Sequence, residues 1–216
     1  MEITEFDTGK VEAKERLDYW STNVLCRMSI SGIGAKSGFF GRLLRAQGHL
    51  GEFWDHTSDA IRVERSSQRC TSDGGDEIYV GLLVDGPSRI NQNGNDRTLA
   101  AGNLYVTDFA RPVRAEWSPH REIAIVIPRE RVTAVAGRRA IMLGGTRLDQ
   151  HGLAELLASH MALTARRMRS MSLTERKAAI DAAVDLACAL LRTAADNAGE
   201  LLPNDILAVA RIIIDQ

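Results

Sequence analysis

Five histidines and three cysteines are the residues of this 216-residue chain with the most specific chemistry to offer. The histidines are His49, His56, His120, His151 and His160. None stands in an H-x-H or H-E-x-x-H pattern, the spacings that place two ligands on one strand or helix face. The sequence therefore predicts no metal site and no cofactor. Cys26, Cys70 and Cys188 are odd in number and far apart. They supply neither a metal knuckle nor a disulfide framework, and they fit a reducing cytoplasm. No G-x-S-x-G elbow is present, and no histidine stands near a cysteine to activate it. A carboxylate pair for acid–base work can be chosen from 28 acidic residues in many ways, so choosing one carries no information. The inventory argues against an enzyme, and no catalytic residue is assigned.

A second set of residues suits binding rather than catalysis. Trp54, Arg62, Glu64, Tyr79, Tyr105 and Trp117 all fall in segments that alternate like strands. Pointing into a barrel, they would make a small-molecule site of aromatics and one or two charges, with an arginine matched to an anionic group. In the alternative, the aromatics are core and Arg62 and Glu64 pair on the surface. The basic run Arg166, Arg167, Arg169, Arg176 and Lys177 reads as a solvated helix end, with phosphate contact as the other reading. The loop SGIGAKSG (31–38) lacks the Gly-Lys-Ser/Thr of a phosphate cradle and reads as a connector.

The elements that must position these residues change character along the chain. Residues near 11–30 show helical spacing through Leu17, Trp20, Val24 and Met28. FGRLLRAQ, HLGEFWDHT and DAIRVERS read as three strands between Phe39 and Arg65, and residues 66–76 as a polar loop. Asp76–Trp117 reads as four or five short strands, with Asn93-Gly94 supplying the positive φ of a tight turn. Glu122–Pro128 is a near-continuous apolar run, the signature of a strand buried on both faces. Beyond residue 129 the period turns helical. Leu153, Leu156, Leu157, His160, Met161, Thr164 and Met168 mark one helix, on which His160 reads as a satisfied core or interface histidine. The capping box Ser172–Glu175 opens a second, ended by Asn197–Gly199. The short connection makes the two an antiparallel pair. Ile180, Val184, Ala187, Leu190 and Leu191 lie on one face of the second helix and are assigned to a dimer interface. Pro203–Asn204 opens a last apolar helix.

The composition, 44% hydrophobic and 25% charged, suits a soluble globular chain able to bury a core. A net charge of −1 leaves no overall field to attract nucleic acid. The opening residues show no signal peptide, and no apolar stretch is long enough to cross a bilayer.

LDYW (17–20), FGRLLRAQGHLGEFWDHTSDAIRVERS (40–66), and DEIYVGLLVDG followed by QNGNDRTLAAGNLYVTDFARPVRAEW together resemble the N-terminal ligand-sensing domain of AraC-type transcriptional regulators. The closer likeness is to the cupin-like subgroup with a D-Y-W helix and a Q-x-G-R…P-G-D…D-x-x-R-P run. Gln92 and Gly94 match its start and Asp108 to Pro112 its end, while Ala101-Gly102-Asn103 replaces P-G-D and no basic residue follows Gly94. The resemblance covers about residues 14–214 and implies an α+β fold. A cupin-like antiparallel β-barrel of jelly-roll type would be followed by an antiparallel helical pair. The implied divisions are an N-terminal helix and connector (1–38), barrel (39–128), helical dimerisation region (129–199), and linker with the first helix of a truncated helix-turn-helix domain (200–216). The implied partners are an unidentified small-molecule effector, a second copy of the chain, and DNA through a C-terminal domain missing from this chain. No membrane partner is implied. A cupin-type enzyme with an atypical site and a purely structural module are the alternatives.

Overall fold

The computed structural model describes residues 3–33 and 38–214, with side chains described as far as Ala198 and Ile33 excepted. Positions 34–37 of the Gly/Ser-rich connector lie outside the described residues. Eleven strands form two antiparallel sheets. Strands β1 (Thr4–Asp7), β3 (Gly41–Gln47), β4 (Glu52–Ser58), β11 (His120–Ile127), β6 (Ile78–Asp85) and β9 (Leu104–Asp108) lie in that order in the larger sheet. The smaller sheet runs β2 (Ser29–Ile33), β5 (Ile61–Arg65), β10 (Val113–Trp117), β7 (Ser88–Gln92), β8 (Asn95–Leu99). The helices are α1 (Arg16–Asn23), α2 (Ser67–Ser72), α3 (Arg129–Ala136), α4 (Gly152–Arg167) and α5 (Leu173–Ile214). The architecture is the α+β jelly-roll type expected from the sequence.

The turns follow from local chemistry. Asn93 (φ 54°) and Gly94 (φ 78°) close the β7–β8 hairpin, as the Asn-Gly pair predicts. Gln92 is buried, accepting from the Asp108 amide and donating to the Asp108 carbonyl, both at 2.8 Å. The family motif residues thus tie β7 to the end of β9. Asn103, standing where the family pattern has Asp, still accepts from the Ala100 amide at 2.9 Å and holds its turn. The capping box is formed: the Ser172 amide donates to Glu175 at 2.7 Å, and the Glu175 amide to Ser172 Oγ at 3.3 Å.

The six-stranded sheet has two buried faces. Leu43, Tyr79, Leu83, Tyr105, Ala124 and Val126 point to the barrel interior, where they meet Ile61, Val63, Ile90, Val113 and Ala115 of the smaller sheet. Phe53, Ile78, Val80, Ile123, Ile125 and Ile127 point the other way and pack against α3, α4 and α5. β11 lies between β4 and β6 and is buried on both faces, as its apolar run predicts.

Four expectations need correcting. The helical spacing near 11–30 yields only α1 (Arg16–Asn23), and the short edge strand β2 takes the residues from Ser29 into the connector, as β1 takes Thr4–Asp7. The polar loop 66–76 contains α2, whose Ser66 N-cap accepts from the Arg69 amide. Helix α5 does not end at Asn197–Gly199 but continues to Ile214. Finally, Ile180, Val184, Ala187, Leu190 and Leu191 are all 0% exposed within one chain. The sheet needs a cover for its outer face, and this stripe is that cover, so it is core rather than a free dimer surface. Leu190→Ala is expected to cost about 2–4 kcal/mol in urea denaturation. Leu190→Arg should abolish the cooperative transition rather than yield a folded monomer.

Candidate functional site

Between the sheets lies a cavity of about 340 Å³. Leu43, Ile90, Val113, Ala115 and Val126 supply apolar wall, and Trp54, Tyr79, Tyr105, Phe109 and Trp117 supply aromatic wall. The rings are interlocked: Tyr79 meets Trp54 edge-on at 6.1 Å between centroids and Phe109 edge-on at 5.9 Å. At the rim, Arg45 pairs with Glu52 at 2.5 Å and lies over the Trp54 ring, whose Nε1 donates to Glu52 at 2.9 Å. Arg27 pairs with Glu77 across the same rim.

The two tyrosines of this wall share one buried partner, Glu122, 1% exposed. Both phenols donate to it, Tyr79 to Oε1 and Tyr105 to Oε2, the latter at 2.8 Å. Gly81 on β6 makes room for this, because a Cβ there would meet the Tyr105 ring at 2.6 Å. Burial raises the Glu122 carboxyl from its ordinary 4.5 to about 7, against the lowering effect of the two phenols. Burial and the neighbouring carboxylate keep both phenols protonated well above their ordinary range.

Strand pairing brings two histidines to the same place. His56 on β4 stands opposite Glu122 on β11, and His120 lies two residues along β11 on the same face. The ligating atoms of His56, His120 and Glu122 all lie within 4.8 Å of one another. The imidazoles meet edge-on at 4.8 Å between centroids, and His120 stacks on Trp117 at 5.5 Å. Burial lowers both: His56 well below its ordinary value, with His120 adding to the effect, and His120 to about 4. Both imidazoles are neutral at neutral pH.

The six residues assigned to a pocket from sequence divide. Trp54, Tyr79, Tyr105 and Trp117 line the cavity. Arg62 and Glu64 do not: they lie on the outer face of β5, where Arg62 pairs with Glu116 at 3.4 Å and Glu64 with Arg114 at 3.1 Å. The inward positions of β5 belong to Ile61, Val63 and Arg65. Arg65, 0% exposed, forks onto Asp73 with two contacts of 2.6 Å and donates to the Phe109 carbonyl at 2.6 Å. The pair holds the Asp73 carboxyl far below its usual range. His160 Nε2 donates to the Ala179 carbonyl, 2.8 Å away, and is the satisfied helix-interface histidine expected. Phe109, His56, His120 and Glu122 were not among the assigned site residues. The spacing His120-x-Glu122 on a strand was a visible signal for two of them.

An aromatic-walled cavity inside a double-sheet barrel, backed by helices, defines a barrel of cupin-like type. The family model of the AraC-binding-like domain matches residues 20–192, and the chain belongs to that family. It is a ligand-sensing domain of the AraC type of transcriptional regulator. Among curated relatives, it is 33% identical over 97 residues to the transcriptional activator NphR of Rhodococcus sp. That match spans 44% of this chain and 28% of the relative, so the chain aligns with only a minor part of that protein's length. Among solved structures, the AraC-like transcriptional activator CuxR superposes with a TM-score of 0.76 at 18% identity, over 88% of this chain and 70% of that one, which shows the shared fold.

The raised carboxyl makes a stability prediction with a definite sign. A carboxyl whose folded value lies above its unfolded value stabilises the fold when protonated, and that contribution is lost as pH rises through the folded value. Wild type should lose stability relative to Glu122→Gln between about pH 4.5 and pH 8, by about 3 kcal/mol in all. The two histidines facing Glu122 titrate in both proteins and cancel in the difference. Urea midpoints across this range, in chelator-containing buffer, measure it.

Proposed function

We propose that the cavity binds a compact small-molecule effector, and that occupancy alters the helical layer and, through it, a DNA-reading domain of the full-length regulator. The observation that carries this reading is the aromatic-walled cavity, with the phenols of Tyr79 and Tyr105 in its lining. A volume of about 340 Å³ is at the small end of the range for ligand sites, about 300–1,000 Å³. The walls suit an aromatic or compact apolar body, and the phenol–carboxylate cluster suits a hydrogen-bond donor on it. The protein acts by binding in this reading, without catalysis, and in the cytoplasm. Among the described residues no helix is long and apolar enough to cross a membrane.

Asp181 of α5 supplies a route from the cavity to the helices. Its Oδ1 accepts from the amides of His49 and Leu50 at 2.8 and 2.9 Å, and its Oδ2 lies 2.8 Å from His49 Nδ1. Burial opposes ionisation there, but these partners hold the carboxyl below its usual range. His49, Leu50, Gly51 and Glu52 also line the cavity rim. One turn is therefore shared by the site and α5.

The full-length protein acts as a homodimer in this proposal. We assign its interface to α4, where Leu156 and Leu163 are 58% and 49% exposed two turns apart. The division of the chain at residues 38, 128 and 199 belongs to the same proposal, with residues 200–216 as the link to the DNA reader.

Three outcomes test it. In a thermal-shift screen of compact aromatic compounds, a compound that stabilises wild type should lose at least about tenfold in affinity against Ala115→Phe, which fills the cavity. Equal affinity for that variant would place the ligand elsewhere. Asp181→Ala should bind the same compound within about threefold of wild type yet blunt the transcriptional response of the full-length regulator. Leu156→Arg with Leu163→Arg should give a monomer by light scattering with an unchanged Tm, and a persisting dimer would remove α4 from the interface.

A further inference from the structure

We propose that His56, His120 and Glu122 form a binding site for a first-row divalent cation of the zinc type, on the inner face of the larger sheet. Two imidazole nitrogens and a carboxylate are a donor set such ions take, and the three ligating atoms converge within 4.8 Å. The most specific observation is His120. Its ring is 3% exposed, and its Nε2 has no hydrogen-bond partner. Its Nδ1 lies 2.9 Å from the Ser118 carbonyl, which can only accept, so Nδ1 carries the proton and Nε2 keeps its lone pair. A buried acceptor without a donor costs free energy, and a cation satisfies it.

The supporting contacts are those a metal site requires. The Ser118 carbonyl fixes the tautomer and plane of His120. The Tyr79 and Tyr105 phenols orient Glu122 while leaving lone pairs on both its oxygens. Trp117 stacks on His120 and limits its rotation. No described arginine or lysine pairs with Glu122, so its charge remains for a cation. Tetrahedral bonds of about 2.1 Å place donors about 3.4 Å apart, so donors that lie within 4.8 Å of one another close by at most about 1.4 Å on binding. His56 faces the cavity, which leaves the fourth position to a water or to a donor atom of a bound molecule. The arrangement differs from an H-x-H site, because the second imidazole comes from the neighbouring strand rather than from two positions along.

The inference stands apart from the effector reading, and its test uses metal alone. Untagged protein stripped with chelator is titrated with Zn²⁺ and, separately, with Co²⁺. The expected result is one equivalent of tightly held Zn²⁺, a raised Tm, and the intense visible absorption of four-coordinate Co²⁺. His56→Ala and His120→Ala should each abolish stoichiometric binding while retaining the wild-type circular dichroism spectrum. Tyr105→Phe should weaken it about tenfold, through loss of carboxylate orientation. His49→Ala, at the rim, should bind as wild type does. Should His120→Ala fail to fold, His56→Ala on the cavity wall decides alone. Absence of a bound equivalent in wild type, or binding unchanged in His56→Ala, overturns the proposal.

Discussion

A carboxylate taken out of water must find a proton, a cation or strong donors. Glu122 meets that demand with two phenols and no cationic partner among the described residues. Much of the barrel interior follows from this one solution. Tyr79 and Tyr105 come from two different strands, so β6 and β9 must sit on the same side of β11 and in fixed register. Gly81 must lack a side chain for Tyr105 to lie across it. The remaining aromatics then enclose the cluster, keeping water away and so keeping its acidity weak. The same burial that makes the group costly to fold makes it responsive to anything that enters bearing a donor or a positive charge.

The larger sheet turns that local response towards the rest of the molecule because it has no solvent face of its own. Beyond Arg121, the residues of β11 alternate between the barrel interior and the helices, Ile123 and Ile125 on either side of Ala124 being the clearest case. Covering that second face uses the buried stripe of α5 from Ile180 to Ala195. A stripe at helical spacing says only that something covers it. Among the described residues that cover is intramolecular, and Leu156 and Leu163 of α4 and Leu173 of α5 are left outward.

The fold was legible where the signal is local. Alternation in Ile78–Val84, the Asn93-Gly94 turn, the apolar run Glu122–Pro128 and the Ser172–Glu175 box each act over a few residues, and each is realised. Arg62 was also legible. Ile61 and Val63 already point one way, so assigning Arg62 to the interior set aside the period of its own strand. The histidine–carboxylate cluster was legible only in half. His120 and Glu122 are two residues apart, but His56 joins them through the pairing of β4 with β11, a contact across more than sixty positions. Strand pairing of that range leaves no trace in spacing. The Asp181 contact with the β3–β4 turn is more distant still, at 132 residues.

Distance along the chain is not distance for coupling. A ligand shifts an equilibrium only through contacts that differ between the two states. Here such contacts need not be relayed across the barrel. His49 and Leu50 lie at the cavity rim and donate their amides to Asp181, which the His49 ring also meets. Gly48 and Gly51 let the turn lie against the helix, since a Cβ at Gly48 would meet Asp181 and Ile180 within 2.7 Å, and one at Gly51 would meet the Val126 carbonyl at 2.6 Å. A turn packed this closely cannot shift towards a ligand and leave α5 where it was. Either the hydrogen bonds to Asp181 stretch or the helix follows, and both change the layer from which a downstream reader would be positioned. In the proposed coupling, the turn at the cavity rim and α5 are therefore in direct contact, through one carboxylate, two amides and the His49 imidazole.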